Sequence, residues 1–290
     1  MLATSKLRQL IERPGIIVAP GAYDCLTAKI IQQSGFPAVY MTGAGTSVAR
    51  YGFPDLALAS MTEMISNAAD ITASVSVPVI ADADTGYGGL LNVGRTVRKY
   101  EQSGVAAIHI EDQEFPKRCG HLDDKRVIPT EDMIPKIMEA VESRTDKDFL
   151  IIVRTDALAV TGWEDTMDRC HRYIDAGADV LFVEALRSAE DAQRAVESLP
   201  VPLLYNFVET GKSPLLSASD LESIGFKIVI FPASNLLLVT ATIQKLMAEL
   251  KEKGTTIGMM EQMVSLQECF ELMGLSEMLA VDAKHLGDQP

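Results

Sequence analysis

The sequence has little positive charge, few cysteines and a single tryptophan, and these shortages exclude several classes of protein. Its 290 residues carry 26 Lys and Arg against 40 Asp and Glu, a net charge of −14. This excess of acid argues against a general affinity for nucleic acid or for anionic membranes, although a local basic pocket can still hold an anionic substrate. We therefore expect neither a nucleic-acid partner nor a membrane partner.

The four cysteines, Cys25, Cys119, Cys170 and Cys269, are far apart and form no CxxC pair. Such spacing is neither a disulfide framework nor a zinc-ribbon pattern. No uninterrupted apolar run approaches the roughly 20 residues needed to cross a membrane, and residues 1–6 lack the apolar core of a secretory signal. The sequence predicts a soluble, cytoplasmic protein.

Eight short β-rich runs alternate with segments of helical periodicity such as 92–103 and 130–143. Gly35, Gly104, Gly177 and Gly225 each precede a run, where a helix would end in a left-handed residue. With 47% hydrophobic residues, the chain can bury a large core, and eight units predict an α/β protein with a (β/α)8 TIM-type barrel. An open doubly wound sheet is the alternative. The predicted strands cover residues 16–20, 38–42, 78–82, 107–111, 150–154, 180–184, 202–206 and 228–232.

Two helical segments, 236–253 and 259–272, and a short tail follow the eighth run and lie outside the repeat. The second segment carries an apolar stripe that includes Met263 and Phe270 and must be covered. We predict a catalytic barrel domain over residues 1–250 and a C-terminal helical extension over 251–290. A subunit interface is preferred to packing on the chain's own barrel.

Carboxylates stand at the predicted ends of the third and fourth strands, where barrel enzymes carry their chemistry. Asp82, Asp84 and Glu111 are hard oxygen donors of the kind that Mg²⁺ prefers. Zinc is disfavoured because His and Cys form no dense ligand set. In the alternative interpretation, Asp82 and Asp84 only cap the turn that follows their strand.

Further polar residues end the other strands. Arg154 ends an apolar run and is expected to be buried, so its guanidinium needs a charged partner, either a substrate carboxylate or Glu184. In the alternative interpretation, Arg154 only forms a structural ion pair with a carboxylate across the barrel. His109 lies inside its strand, where it either contacts the substrate or satisfies a hydrogen bond. Glu184 and Asn206 are placed to orient a substrate or a loop lysine.

Residues 117–121 read Lys-Arg-Cys-Gly-His, a reactive set within one loop. The neighbouring cations could lower the pKa of the Cys119 thiol and make it an acid or base near neutral pH. Gly120, together with glycines in the loop after the third strand, suggests a moving gate. The alternative is a solvated basic turn.

The whole pattern resembles the isocitrate lyase and phosphoenolpyruvate mutase superfamily, and the Lys-Arg-Cys-Gly-His run resembles its lyase branch. The resemblance spans nearly the whole chain. It implies a Mg²⁺-dependent barrel, a gating loop, and a homotetramer whose C-terminal helices are exchanged between subunits. The motifs that carry it are residues 40–43, 82–88, 111–113, 117–121 and 154–157.

By position, the resemblance implies that Asp82 binds Mg²⁺, or Mn²⁺, directly, and that Asp84 and Glu111 act largely through water. Cys119 would protonate the enolate left by carbon–carbon cleavage, and the metal would stabilise developing charge. The candidate catalytic residues are Cys119, Lys117, Arg118, Gly120, His121, Arg154 and Glu184. The candidate substrate-binding residues are Tyr40, Thr42, Gly43, Ala44, Asp55, His109, Arg154, Asn206 and Pro232.

Two departures bear on the substrate. Methylisocitrate lyases carry an arginine where this chain has Leu237 and a threonine where it has Val208. The loss of a cation and a hydroxyl argues against a third substrate carboxylate. The resemblance therefore implies a carbon–carbon lyase that cleaves a 2-alkylmalate or 2,3-dialkylmalate-type acid to pyruvate, or another 2-oxo acid, and a carboxylic acid.

Other functions stay open. A phosphonomutase of the carboxyphosphonoenolpyruvate type shares the loop motif, and an oxaloacetate hydrolase would use the same enolate chemistry on a smaller substrate. A Schiff-base aldolase is disfavoured because Lys117 lies in a loop rather than on a buried strand. A barrel that serves only as an oligomeric scaffold is the non-enzymatic alternative.

Overall fold

Eight short parallel strands, buried on both faces, form the wall of a closed barrel. In the computed structural model, which describes residues 1–120 and 124–286, each strand pairs with the next and the eighth pairs with the first. The predicted TIM-type barrel is confirmed, and the strand bounds differ from prediction by two residues at most. The strands are β1 (Ile17–Ala22), β2 (Val39–Met41), β3 (Val79–Asp82), β4 (Ala107–Glu111), β5 (Leu150–Thr155), β6 (Val180–Val183), β7 (Leu203–Asn206) and β8 (Ile228–Phe231).

The helices that connect one strand to the next cover the outside of the barrel. Gly35, Gly104, Gly177 and Gly225 all have positive φ, so the predicted helix ends are confirmed. Side-chain caps fix several helix starts, as where Asp24 accepts from the backbone of Thr27. The helices are α1 (Ala3–Glu12), α2 (Cys25–Gln33), α3 (Gly43–Tyr51), α4 (Met61–Ser74), α5 (Leu90–Gln102), α6 (Thr130–Ser143), α7 (Ala157–Val160), α8 (Trp163–Asp175), α9 (Ala189–Ser198), α10 (Ala218–Ile224), α11 (Ser234–Lys253), α12 (Leu266–Leu272) and α13 (Leu275–Leu286).

The hydrophobic core has two layers because strand side chains alternate between the faces of the wall. Ile108 and Ile110 pack outward against the helices, whereas Ile80 and Phe182 fill the inside of the barrel. Helix α1, which precedes the repeat, belongs to the inner layer through its fully buried Leu7. It closes the barrel at the strands' amino ends and leaves the carboxyl ends for chemistry.

The chain divides into two compact units, Met1–Asn235 and a second that begins at Leu236. The domain boundary predicted at residue 250 stays a prediction. The helical segment predicted over 259–272 is instead a 3₁₀ helix, Ile257–Gln262, followed by α12, and the predicted tail forms α13. Ser265 explains the break, since it caps α12 by accepting from the backbone of Glu268. None of the described helices is both long and apolar enough to cross a membrane.

Candidate active site

Polar side chains converge at the carboxyl end of the barrel, at the inward-facing positions that follow the apolar inner core along the strands. A residue two places after an inward-facing one also faces inward. Ile80, Ile152 and Phe182 lie in the inner layer, and the residues two places on are polar. The polar positions reached in this way from the inner core are Asp82, His109, Glu111, Arg154, Glu184 and Asn206, and all six are buried.

Asp82 lies at the centre of a hydrogen-bonded group on β2, β3 and β4. The register pairs it with His109, and its Oδ1 is 3.1 Å from Nε2 of His109. Burial raises the pKa of the Tyr40 hydroxyl. Its oxygen lies 3.1 Å from Nδ1 of His109, a hydrogen bond in which the tautomer of His109 decides which atom donates. Burial would raise the pKa of Asp82, but His109 and Lys117 hold it below its usual range.

The start of α3 lies against Asp82. A Cβ at position 43 would overlap Oδ2 of Asp82, so any larger residue there would require the carboxylate to move. Thr42 caps the helix by accepting from the N–H of Gly45 at 3.2 Å. Gly43 and Ala44 lie in the first helical turn, where N–H groups without helical partners favour anions. The segment 42–44 predicted to bind substrate is therefore beside the predicted metal ligand.

Lys117 lies inside the carboxylate group rather than in solvent. Its Nζ is 2.5 Å from Oδ1 of Asp55 and 2.9 Å from Oδ1 of Asp84, and only 4% of the residue is exposed. Burial would lower its pKa, but Asp84 and Asp55 raise it well above the usual value. Burial also raises the pKa of Asp84, to about 6, with Asp82 adding to the effect and Lys117 opposing it.

Arg154 is held by three carboxylates. Nε and Nη2 donate to the two oxygens of Asp156 at 2.8 and 3.1 Å. Nε is also 3.3 Å from Oε2 of Glu111, and Nη2 is 3.2 Å from Oε2 of Glu184. Asn206 Nδ2 donates to the same Glu184 oxygen at 3.0 Å. Among the described residues, these contacts hold the guanidinium through Nε and Nη2.

The loop that carries Cys119 folds over the strand ends. A Cβ at Gly120 would lie 2.2 Å from Nη2 of Arg154 and 2.8 Å from Oε2 of Glu184, so the backbone there touches the site directly. Cys119 is half-buried. Arg118 is exposed, with its Nη1 3.8 Å from Asp124. His121, a predicted catalytic residue, lies outside the described residues.

Two buried residues of the site were missed or underused by sequence reasoning. Lys125 is 8% exposed, yet it stands in an Asp-Asp-Lys-Arg run that reads as a solvated turn. Asp156 entered the sequence analysis only as part of the motif 154–157, although it is the bidentate partner of Arg154. Pro232, a predicted substrate-binding residue, packs on Gly21, where a Cβ would meet its carbonyl oxygen at 2.7 Å.

The donor set fits a magnesium ion held mostly through water. Across the described residues, no three His, Cys, Asp or Glu side chains come together as direct metal ligands. Mg²⁺ commonly takes one or two carboxylates and keeps several waters. Oε1 of Glu111 is buried without a hydrogen-bond partner in the described part of the chain. A water-bridged ion would satisfy that oxygen.

Comparison with known proteins agrees with this geometry. The family model described as phosphoenolpyruvate phosphomutase matches residues 7–251. The chain is 43% identical to 2,3-dimethylmalate lyase of Eubacterium barkeri, covering 97% of this chain and 98% of that protein. It is 41% identical to 2-methylisocitrate lyase of Aeropyrum pernix, covering 96% and 89%.

Solved structures are similar over the same length. Oxaloacetate acetylhydrolase in complex with 3,3-difluorooxalacetate superposes with a TM-score of 0.94 at 40% identity, covering 99% of this chain and 98% of that one. Phosphonopyruvate hydrolase in complex with oxalate and Mg²⁺ superposes with a TM-score of 0.89 at 31% identity, covering 99% and 100%.

The fold and the strand-end carboxylates define a TIM-barrel enzyme with a loop closed over an acidic site. The chain belongs to the phosphoenolpyruvate phosphomutase family, within the phosphoenolpyruvate mutase and isocitrate lyase superfamily. The resemblance drawn from the sequence motifs is confirmed. The expected class of enzyme, a carbon–carbon lyase, is confirmed by relatives that are lyases over nearly their whole length.

Proposed function

We propose that the enzyme cleaves a 2-alkylmalate or 2,3-dialkylmalate-type acid, with Mg²⁺, to pyruvate or another 2-oxo acid and a carboxylic acid. The observation that carries this proposal is the contact of the Cys119-bearing loop with Arg154 and Glu184 through Gly120. That contact places the residue next to Cys119 against a buried guanidinium and a buried carboxylate. An acid, a base, an anion-binding cation and a metal site are the groups that such a cleavage needs.

The electron balance assigns a task to each part of the site. The 2-hydroxyl gives its proton to a base, its oxygen becomes the carbonyl of the 2-oxo acid, and the bond between C2 and C3 breaks. Glu111 is the proposed acceptor of that proton, because its Oε1 is buried without a hydrogen-bond partner in the described part of the chain. The electron pair of the broken bond passes to C3 and its carboxylate as an enolate, which takes a proton to give the second acid. Cys119 is the proposed donor of that second proton, and Arg154 would bind a carboxylate or the C2 oxygen.

The charges support a cation at the predicted metal residues. Among the described residues of the site, the carboxylates outnumber the cations and would repel a dianionic substrate. Mg²⁺ at Asp82, with Asp84 and Glu111 through water, would supply positive charge to the C2 oxygen and the adjacent carboxylate. The carboxylates are Asp55, Asp82, Asp84, Glu111, Asp156 and Glu184, and the cations are Lys117, Lys125 and Arg154.

Hydrolysis of oxaloacetate is the second candidate, because the similarity to oxaloacetate acetylhydrolase is as extensive as that to the lyases. A panel of malate-derived acids and oxaloacetate, each with Mg²⁺ and with chelator, separates the candidates. Release of a 2-oxo acid from an alkylated malate, lost with chelator, supports the lyase. Oxalate and acetate formed from oxaloacetate alone would overturn it. A new phosphorus signal from phosphonate substrates would indicate a phosphonomutase instead.

The C-terminal helices support a homotetramer in which they are exchanged between subunits, and we include this in the proposal. The second unit leaves Leu238, Ile257, Leu266 and Met278 at least 67% exposed. Apolar side chains in this number require a covering surface. Light scattering after gel filtration should give four times the 31.5 kDa chain mass, and a monomer would contradict the assembly. A reducing, cytoplasmic setting is proposed as well, since a thiol must stay reduced to donate a proton.

A further inference from the structure

The Cys119 loop, residues 113–127, has a fixed stem. At its base the N–H of Glu114 donates to the carbonyl of Arg126 at 2.9 Å, and the N–H of Ile128 donates to the carbonyl of Asp112 at 2.9 Å. Gln113 and Val127 pair in an antiparallel bridge. The two arms of the loop therefore leave β4 as a short ribbon, and the chemistry depends on what fixes the loop beyond that ribbon.

One anchor holds the residue before Cys119. The side-chain amide of Gln113, which is 2% exposed, donates from Nε2 to the carbonyl of Arg118 at 2.8 Å. Its Oε1 accepts from the N–H of Arg118 at 3.1 Å. Both backbone groups of Arg118 are thus tied to the stem.

A second anchor holds the residue after Cys119, and it is Lys125. Its Nζ donates to the carbonyl of Gly120 at 2.5 Å and to Oδ1 of Asp156 at 2.6 Å. The side chain is 2% exposed, and that of Asp156 is fully buried. Asp156 is itself fixed, because it accepts two hydrogen bonds from Arg154 and its N–H donates to Asp112 at 2.9 Å.

We propose that Lys125 is a positioning residue that holds the Cys119 segment over Arg154 by bridging the Gly120 carbonyl to Asp156. Asp156 already has a cationic partner in Arg154, so the charge on Lys125 is not needed merely to neutralise that carboxylate. What Lys125 adds is a connection from β5 to the loop. Removal of that connection would take away this anchor after Cys119 and leave those before it, namely the Gln113 hydrogen bonds to Arg118 and the ion pairs of Lys117.

This inference rests on the lyase function proposed above, and its test is built around three proteins and two readouts. Lys125→Met removes the donors at similar length, Lys125→Arg keeps charge and donors, and Lys99→Met removes an exposed lysine of α5 as the matched control. The first readout is kcat and KM with the substrate found in the panel. The second is alkylation of Cys119 by iodoacetamide, followed by peptide mass spectrometry, with and without oxalate and Mg²⁺.

We expect Lys125→Met to lower kcat about 100-fold, since a small displacement of a reacting group has an effect of that size. Oxalate affinity, measured by calorimetry, should change by no more than about threefold, because Arg154 and the metal residues remain. In the wild type, oxalate with Mg²⁺ should slow the alkylation of Cys119 about tenfold by stabilising the closed loop. In Lys125→Met that protection should be lost although oxalate still binds. Lys125→Arg should recover part of both effects, and Lys99→Met should match the wild type.

Wild-type protection of Cys119, or a kcat within about threefold of wild type, in Lys125→Met would overturn the inference. If Lys125→Met does not fold, the same readouts in Lys125→Gln decide the question, since glutamine lacks the charge and is one atom shorter, so it should lose the bridge between the Gly120 carbonyl and Asp156. Failure of the proposed function looks different: the wild type would then release no 2-oxo acid, or Cys119→Ser would retain full turnover.

Discussion

Nζ of Lys117 lies 2.9 Å from Oδ1 of Asp84 and 2.5 Å from Oδ1 of Asp55, within the group of carboxylates proposed to hold the metal. The lysine enters this group from the same loop that carries Cys119, two residues away. Loop position and charge balance at the strand ends are therefore linked through one ammonium group. When the loop is closed, the ammonium partly offsets the repulsion among Asp55, Asp82 and Asp84.

Lys117→Met should destabilise the fold, because the repulsion among Asp55, Asp82 and Asp84 is then no longer offset. Without the ammonium, the buried Asp84 and the partly buried Asp55 lose their cation, and the free energy of unfolding should fall by about 3 kcal/mol in the presence of chelator. Added Mg²⁺ should restore part of the loss, because a bound cation stabilises the folded state by linkage.

Urea denaturation in chelator and in Mg²⁺ measures both effects. Lys147→Met, at an exposed position, serves as the control. If the stability of Lys117→Met equals that of the wild type in chelator, Lys117 does not offset the carboxylate charge.

Gly43→Ala should weaken metal binding without unfolding the barrel. A Cβ at this position would lie 2.3 Å from Oδ2 of Asp82 and 2.7 Å from its Cγ, so the carboxylate must move. Displacement of a metal ligand by a neighbouring change commonly lowers affinity about tenfold or more, and activity at limiting Mg²⁺ should fall with it.

Gly89→Ala is the matched control for this change. Position 89 has ordinary negative φ, and a Cβ there meets nothing within 4 Å. Calorimetric titration with Mg²⁺ compares the two variants, and equal affinity in both would show that Asp82 tolerates the added methyl group.

The fold was predictable because most strands are buried on both faces and therefore read as short apolar runs, several of which end in a polar residue. The positions of Asp82, Glu111 and Arg154 followed from the same periodicity, since a residue two places beyond an inner-core position must face inward. The C-terminal region was less predictable. Its apolar stripe indicated helix, but the cap at Ser265 and the helix after it depend on local hydrogen bonds that periodicity does not encode.

The side-chain partners inside the site could not be predicted from the sequence. Nothing in the Asp-Asp-Lys-Arg run distinguishes Lys125 from an exposed lysine until the loop folds back onto Asp156. Lys117 was expected in the closed site, but its pairing with Asp55, more than 60 residues away in sequence, requires the three-dimensional path of the segment between α3 and α4. Long-range pairs between charged side chains leave no periodic signal.

Cys119→Ser and Cys119→Ala should nearly abolish cleavage while leaving oxalate binding intact. A general acid contributes about 10² to 10⁴ in rate, and serine is a far weaker acid than cysteine near neutral pH. The neighbours that would bind oxalate, Arg154 and the segment 42–44, do not depend on the thiol. Wild-type kcat in both variants would exclude Cys119 as the proton donor. Cys170→Ser is a poor control because Cys170 is fully buried, whereas Cys25→Ser, at the half-buried start of α2, tests a thiol away from the site.

Magnesium affinity should fall as pH drops below about 6. Burial, with Asp82 and Asp55, raises the pKa of Asp84 to about 6 against the opposing effect of Lys117. A carboxyl with a raised pKa holds its proton up to a higher pH, and a cation bound through its carboxylate must displace that proton. Protonation of Asp84 should therefore lower the Mg²⁺ affinity by up to about tenfold for each pH unit below 6. Above pH 6, Asp84 should make the affinity depend little on pH.

Titration of the metal-free enzyme with Mg²⁺ between pH 5 and pH 8 gives the slope of the logarithm of Mg²⁺ affinity against pH. Asp84→Asn carries no ionisable group at this position, so below pH 6 this slope should be smaller by about one proton released per ion bound. The pKa of Glu111 is also raised by burial, and its contribution should persist in the variant. Identical slopes in the two proteins would mean that Asp84 is not protonated when the ion binds, and that Lys117 outweighs burial at this carboxylate.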